Sequence, residues 1–211
     1  IDLGIHPDAL DEPEKYDEIF HQQYEWFSEL TGENPISARN HGFLNRGYWG
    51  HKKAWKRGGI KISSNIPGLD GNLITSSLIP ARVHYDNELT EHWSIMTAIG
   101  DGVVFVHEMS PKESRECVLS LGSEIIQSQL PGVIVLNLHP QNISEASGLH
   151  EAIHELVKQG FVPWNMKDCF NWFNARDEYT EAHSSNYTSP KPTLNIVQKF
   201  FHKIMGHNIK S

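Results

Sequence analysis

The chain has 211 residues, 38% hydrophobic and 21% charged, which suits one globular domain burying roughly 70% of the surface its unfolded chain exposes. A net charge of −8 argues against a nucleic-acid partner held through phosphate contacts, and no run of 18 apolar residues is present to span a membrane. Two cysteines, Cys117 and Cys169, make no disulfide framework and read as reduced, partly buried thiols.

Ile1 to Ile5 reads as a short strand that ends in His6-Pro7-Asp8. Asp11-Glu12-Pro13-Glu14 then opens a helix, because negative charge and proline both suit a helix N-terminus. Tyr16, Ile19, Phe20, Tyr24, Phe27 and Leu30 follow at spacings of three and four on one apolar face, and Thr31-Gly32 closes it. Pro35 to Ala38 is expected to be a strand, leading into the polar Arg39-Asn40-His41-Gly42. A second helix is expected over Trp49 to Lys56, stopped by Gly58-Gly59, and Ile60 to Ser63 reads as a strand.

Leu73 to Ile99 carries little periodic signal; strands are placed around Leu78-Ile79 and Arg82 to His84. Val103 to His107 reads as a buried strand, followed by a helix from about Pro111 to Gln129. Val133 to His139 is the clearest strand in the sequence. A helix over Leu149 to Gln159, a strand over Gly160 to Trp164 and a helix over Met166 to Phe173 complete this part. Residues 176–211 read as a polar linker and a terminal helix, Leu194 to Met205, packed back on the body formed by residues 1–175.

Apolar strands alternating with helices predict an α/β fold with a parallel sheet covered by helices. Four predicted strands end in polar groups: His6-Pro7-Asp8, Arg39-Asn40-His41, His107-Glu108 and His139-Pro140. In barrels of this kind the strand C-termini share one face, where active sites are built. Two imidazoles and a carboxylate (His6, His41 and Asp8) suit zinc or a similar divalent metal with a position left open for water. Such an ion acidifies water and polarises a carbonyl, which suits amide or ester hydrolysis. Arg39 either pairs with one of the chain's many carboxylates or holds a catalytic one. His139, ending the clearest strand, sits at the mouth as an acid of suitable strength.

In order and spacing, Gly4-Ile5-His6-Pro7-Asp8, Ser37-Ala38-Arg39-Asn40-His41-Gly42, Gly59-Ile60-Lys61-Ile62-Ser63-Ser64-Asn65 and Leu136-Asn137-Leu138-His139-Pro140 resemble the polysaccharide deacetylases of the NodB homology type. The resemblance covers Ile1 to Ala175. It implies a distorted (β/α)7 barrel and removal of an N- or O-acetyl group from a glycan sugar with the help of a divalent metal, most often zinc. It puts a metal ligand at His6, the arginine motif at Arg39 and the general acid at His139. The sequence departs from that pattern at Leu10, which stands where the second histidine ligand belongs; His41 is the expected substitute, with Asp8 as a third ligand. The aspartate motif that supplies the base belongs before the histidine motif, on a first strand expected upstream of Ile1, and without it the polypeptide is expected to be slow or inactive. No aspartate-aspartate-tryptophan motif follows Asn65, where Asp70 is the nearest substitute. The competing expectations are a non-enzymatic glycan-binding domain of the same fold, using Trp49, Trp55, Trp93 and Trp164 as an aromatic groove, and an unrelated metal-dependent barrel hydrolase.

Overall fold

A computed structural model describes residues 3–44, 51–67 and 78–183. Contacts divide the chain into two units, 1–171 and 172–211. The first is a mixed α/β body around a curled, mostly parallel sheet that forms a half-barrel.

Its first helix, α1 (Tyr16–Thr31), follows a single 3-10 turn at Pro13–Lys15 and buries Tyr16 and Phe20. Gly32 ends it in the left-handed conformation (φ 73°), with its N–H on the Ser28 carbonyl at 2.9 Å, a stop that costs glycine nothing. Strand β1 (Ser37–Ala38) pairs in parallel with β2 (Ile62–Pro67), and Ile5 bridges to Ala38 on the other side. Between β1 and β2 lies the short helix α2 (Lys52–Gly58), ended by Gly59. Ile5, Ala9, Tyr16, Phe20, Ala38, Ala54, Trp55 and Ile60 form the core between these helices and the first strands.

The sheet is organised by β4 (Glu88–Gly100), 13 residues long and buried from His92 to Gly100. One edge of β4 pairs in parallel with β2. The other edge is shared end to end: β3 (Ala81–Tyr85) takes the first half as an antiparallel hairpin, and β5 (Val135–Asn137) takes the second half in parallel. Asp86 and Asn87 make the hairpin turn with φ of 54° and 62°, the left-handed pair that a two-residue turn requires. Register shifts interrupt β2–β4 between Ser63 and Ile66 and β4–β5 between Thr97 and Ile99. Such irregularities bend and twist a sheet, which accounts for the curl.

At the C-terminal end of β4 the chain turns directly into α3 (Asp101–Val106), and then into α4 (Pro111–Ser128). A reciprocal capping box starts α4, with the Ser110 side chain accepting from the Glu113 N–H and the Glu113 carboxylate accepting from the Ser110 N–H. Helix α5 (Ser147–Lys158) packs against α4 through Gly148, where a Cβ would lie 2.0 Å from the Pro111 carbonyl oxygen. Ile99, Val104, Val118, Ala146, Leu149, Ala152 and Leu156 make the core there. The last helix among the described residues is α6 (Met166–His183). The described part of the second unit is its stretch from Trp172, where the Arg176 guanidinium covers the Trp172 and Phe173 rings at 5.5 and 5.1 Å.

Several expectations from the sequence are corrected. Val103 to His107 is not a strand but most of α3 and its C-cap, and the buried strand is the preceding β4. The β-branched residues there lost to the neighbouring segment, which is paired on both edges and buried from His92 to Gly100, and Val106 is left 79% exposed. His107 and Glu108 therefore end a helix, not a strand. Gly160 to Trp164 forms no strand, Leu78-Ile79 lies outside β3, and the last clear helix extends well past Phe173. Asp70, Trp49 and Leu194 to Met205 lie outside the described residues.

Candidate active site

The parallel strands run in one direction, and polar residues follow the C-terminal ends of β1 (Arg39), β4 (Asp101) and β5 (His139). Backbone pairing beside β1 fixes the first of these. Ile5 N–H donates to Ser37 O (2.9 Å), Arg39 N–H to Ile5 O (3.1 Å) and His41 N–H to Pro7 O (2.8 Å), so His6 lies alongside Arg39 and Asp8 alongside His41. The His6 Nδ1–H donates to the Arg39 carbonyl at 2.6 Å. A carbonyl only accepts, so the proton is on Nδ1 and the Nε2 lone pair is left available. Burial, the Arg39 cation and the neighbouring His41 ring hold His6 below the usual imidazole range, favouring this neutral form. The His6 and His41 ring centroids are 5.3 Å apart, and His41 Nδ1 is 4.0 Å from Asp8 Oδ2. Asp8 is held by a reciprocal amide pair with Gln23, at 2.9 Å in both directions.

The donor types of His6, His41 and Asp8 fit a divalent transition metal. Their positions are more open than a closed set, since ligands of one tetrahedral ion lie about 3.3 Å apart. Among the described residues no group of three or more His, Cys, Asp or Glu side chains is arranged to hold a metal as it stands. The His41 and Asp8 side chains are half exposed and have room to turn.

The loop carrying Arg39 and His41 is anchored from below. Trp55 Nε1–H donates to the Tyr16 hydroxyl (2.7 Å), which donates to Asn40 Oδ1 (2.6 Å), and Asn40 Nδ2 donates to Leu44 O (2.7 Å). The Asn40 N–H donates to Asn65 Oδ1 at 2.8 Å. Every side chain in this chain of bonds is buried, and burial keeps the Tyr16 hydroxyl neutral by pushing its ionisation upward. Phe43, held at φ 54° in the same loop, puts its ring 5.9 Å from the Arg39 guanidinium.

The residue that sequence reasoning missed is Asp101, at the C-terminal end of β4 and 1% exposed. Its carboxylate accepts four hydrogen bonds. Oδ1 takes the Gly102 N–H (2.8 Å) and the His139 Nδ1–H (2.8 Å), and Oδ2 takes the His139 backbone N–H (2.8 Å) and Asn142 Nδ2 (3.1 Å). Burial by itself would raise the Asp101 ionisation, but the bonds from His139 and Asn142 outweigh it and leave the group below its usual range. Asp101 is therefore ionised, and it fixes the His139 tautomer with Nδ1 protonated and Nε2 facing outward on a side chain 47% exposed. The sequence signal for it is weak: Ile95 to Ile99 is interrupted by Thr97 before Gly100-Asp101, whereas Val133 to Leu138 runs with one break, at Asn137, to His139. The more hydrophobic Val103 to Val106 drew the strand assignment away from it.

Arg39 links the two groups of residues. Burial lowers its ionisation, and the Asp101 charge raises it in part. With His6 it lines a cavity of about 420 Å³ whose other walls include Ser64, Leu136, Trp164 and Met166. A second cavity, about 440 Å³, lies at the opposite end of β2 and β4, beside Lys52, Lys56 and Lys61 and away from His139. Of the tryptophans expected to form an aromatic groove, Trp55 and Trp93 are 0% and 3% exposed and belong to the core, whereas Trp164 lines the cavity beside Arg39. Of the expected site residues, His6, Arg39, His41 and Asp8 are neighbours across the Ile5–Ala38 bridge; His139 is bonded to Asp101, whose charge acts on Arg39. Compared with family models, with curated proteins and with solved structures, the chain matches none.

Proposed function

We propose that this protein is a metal-dependent hydrolase that removes acetyl groups from a glycan sugar, on a barrel of the polysaccharide-deacetylase type. The observation that carries the reading is the His139–Asp101 pair at a strand C-terminus, with Nε2 outward. A buried carboxylate accepting from Nδ1 holds the ring in one orientation and aims Nε2. In the proposed reaction His139 gives a proton from Nε2 to the sugar nitrogen or oxygen as its bond to the acetyl carbon breaks. Arg39 adds positive charge at the cavity wall, where negative charge develops on the acyl group. His6, through Nε2, would hold the metal with His41 and Asp8. When bound, the ion supplies acidified water and a polarised acetyl carbonyl.

A non-catalytic glycan-binding domain of the same fold is the alternative. Calorimetric zinc titration separates the two. The hydrolase reading expects about one site per chain, weakened at least ~10-fold by His6→Ala and by His41→Ala. It also expects acetate release from acetylated chitooligosaccharides, followed with protein in excess, to fall in His139→Ala. Zinc binding indifferent to both ligand substitutions would remove the metal assignment, and with it this reaction.

A further inference from the structure

The guanidinium of Arg39 is the unusual cation of the site. It is partly buried at a cavity wall, and its side chain makes no hydrogen bond or ion pair to a carboxylate among the described residues. Asp101 is the negative group that acts on it, yet Asp101 is committed elsewhere, because its two oxygens already accept from the Gly102 N–H, the His139 N–H and Nδ1–H, and Asn142 Nδ2. The Phe43 ring backs the guanidinium, and the loop beneath is pinned at Asn40. The result is a planar fork of donors, held in place, partly desolvated and without a bonded carboxylate among the described residues. Such a fork matches a carboxylate bidentately, and desolvation strengthens the match.

We propose that the cavity beside Arg39 is a seat for the carboxylate group of a ligand. Two sources share that chemistry: a small free carboxylate such as acetate, or the carboxyl group of an acidic N-acetyl sugar. His6 and Ser64 lie on the same cavity wall, so a ligand seated there lies within the proposed active site. The inference deepens the deacetylation reading, but it concerns binding alone. It is tested on metal-free protein, where failure of the metal assignment has no bearing on the result.

The experiment titrates metal-free full-length chain with acetate, with N-acetylmuramic acid and with neutral N-acetylglucosamine. Binding is read by calorimetry and by the Arg39 Nε–H resonance. Binding of acetate and the acidic sugar with similar affinity identifies a seat for a free carboxylate. Binding of the acidic sugar at least ~10-fold more tightly than acetate identifies the substrate's own carboxyl group. In either case Arg39→Lys, which keeps the charge and loses the fork, is expected to weaken binding about tenfold, and Arg39→Met to abolish it. The neutral sugar binding as tightly as the acidic one, or Arg39→Lys leaving carboxylate affinity unchanged in a folded protein, would overturn the proposal.

Discussion

The buried bonds under the Arg39–His41 loop give a prediction whose size follows from counting partners. In Tyr16→Phe one oxygen is removed from a site where Tyr16, Trp55 and Asn40 are all at most 1% exposed. The ring and its packing stay, so no large cavity forms. The Trp55 Nε1–H then loses the acceptor at 2.7 Å, and Asn40 Oδ1 loses the donor at 2.6 Å. Each buried group left unsatisfied costs about 1–3 kcal/mol, so with two such groups the substitution should cost about 2–6 kcal/mol. Urea unfolding measures this as a lowered midpoint with an unchanged m-value. Tyr24→Phe is the control on the same helix, since Tyr24 lies in a less buried position, and it should stay within about 0.5 kcal/mol of the parent. A Tyr16→Phe protein as stable as the Tyr24→Phe control would refute the claim that these bonds hold the loop.

Three further outcomes follow. Asp101→Asn would place an amide N–H against His139 Nδ1, so the neutral imidazole should move its proton to Nε2, seen in the ring ¹⁵N shifts; the same tautomer in both proteins would contradict the assigned role. Around Trp55, burial pushes His51 and His92 from the ordinary 6.5 down to about 3 and Lys52 from 10.5 down to about 6. Because the unfolded chain takes up protons that the folded one refuses, each histidine lowers stability by about 1.4 kcal/mol per pH unit as pH falls from 6.5 toward 3, and Lys52 acts between pH 10.5 and 6. A urea midpoint that stays constant from pH 7 to pH 5 would contradict their burial. Gly148→Ala should cost about 3 kcal/mol, because its Cβ meets a backbone oxygen at 2.0 Å, whereas Gly102→Ala, with nothing within 4 Å, should cost almost nothing; equal thermal shifts would contradict the α4–α5 packing.

What could be read in the sequence was what short-range physics decides. Gly32 and Gly59 mark real helix ends because left-handed caps favour glycine locally, and Tyr16 and Phe20 lie on the buried face that their spacing assigns. His6, Arg39 and His139 stand at the ends of parallel-paired segments because an apolar run and a following polar group are both local features. What escaped was decided by pairing. β4 mixes Thr, Ser, His and Ala with its apolar residues and is buried because β2 covers one edge while β3 and β5 cover the other. No window around Glu88 to Gly100 contains those neighbours, whereas Val103 to Val106 satisfies every local criterion for a strand. Asp101 was lost with β4, and with it the carboxylate that orients the His139 ring. Its partner lies 38 residues away, a contact that exists only once the sheet has brought Gly100 beside Asn137. The pair that defines the site's chemistry is thus a product of the sheet's register, and a shift of β5 against β4 would separate it without altering either residue.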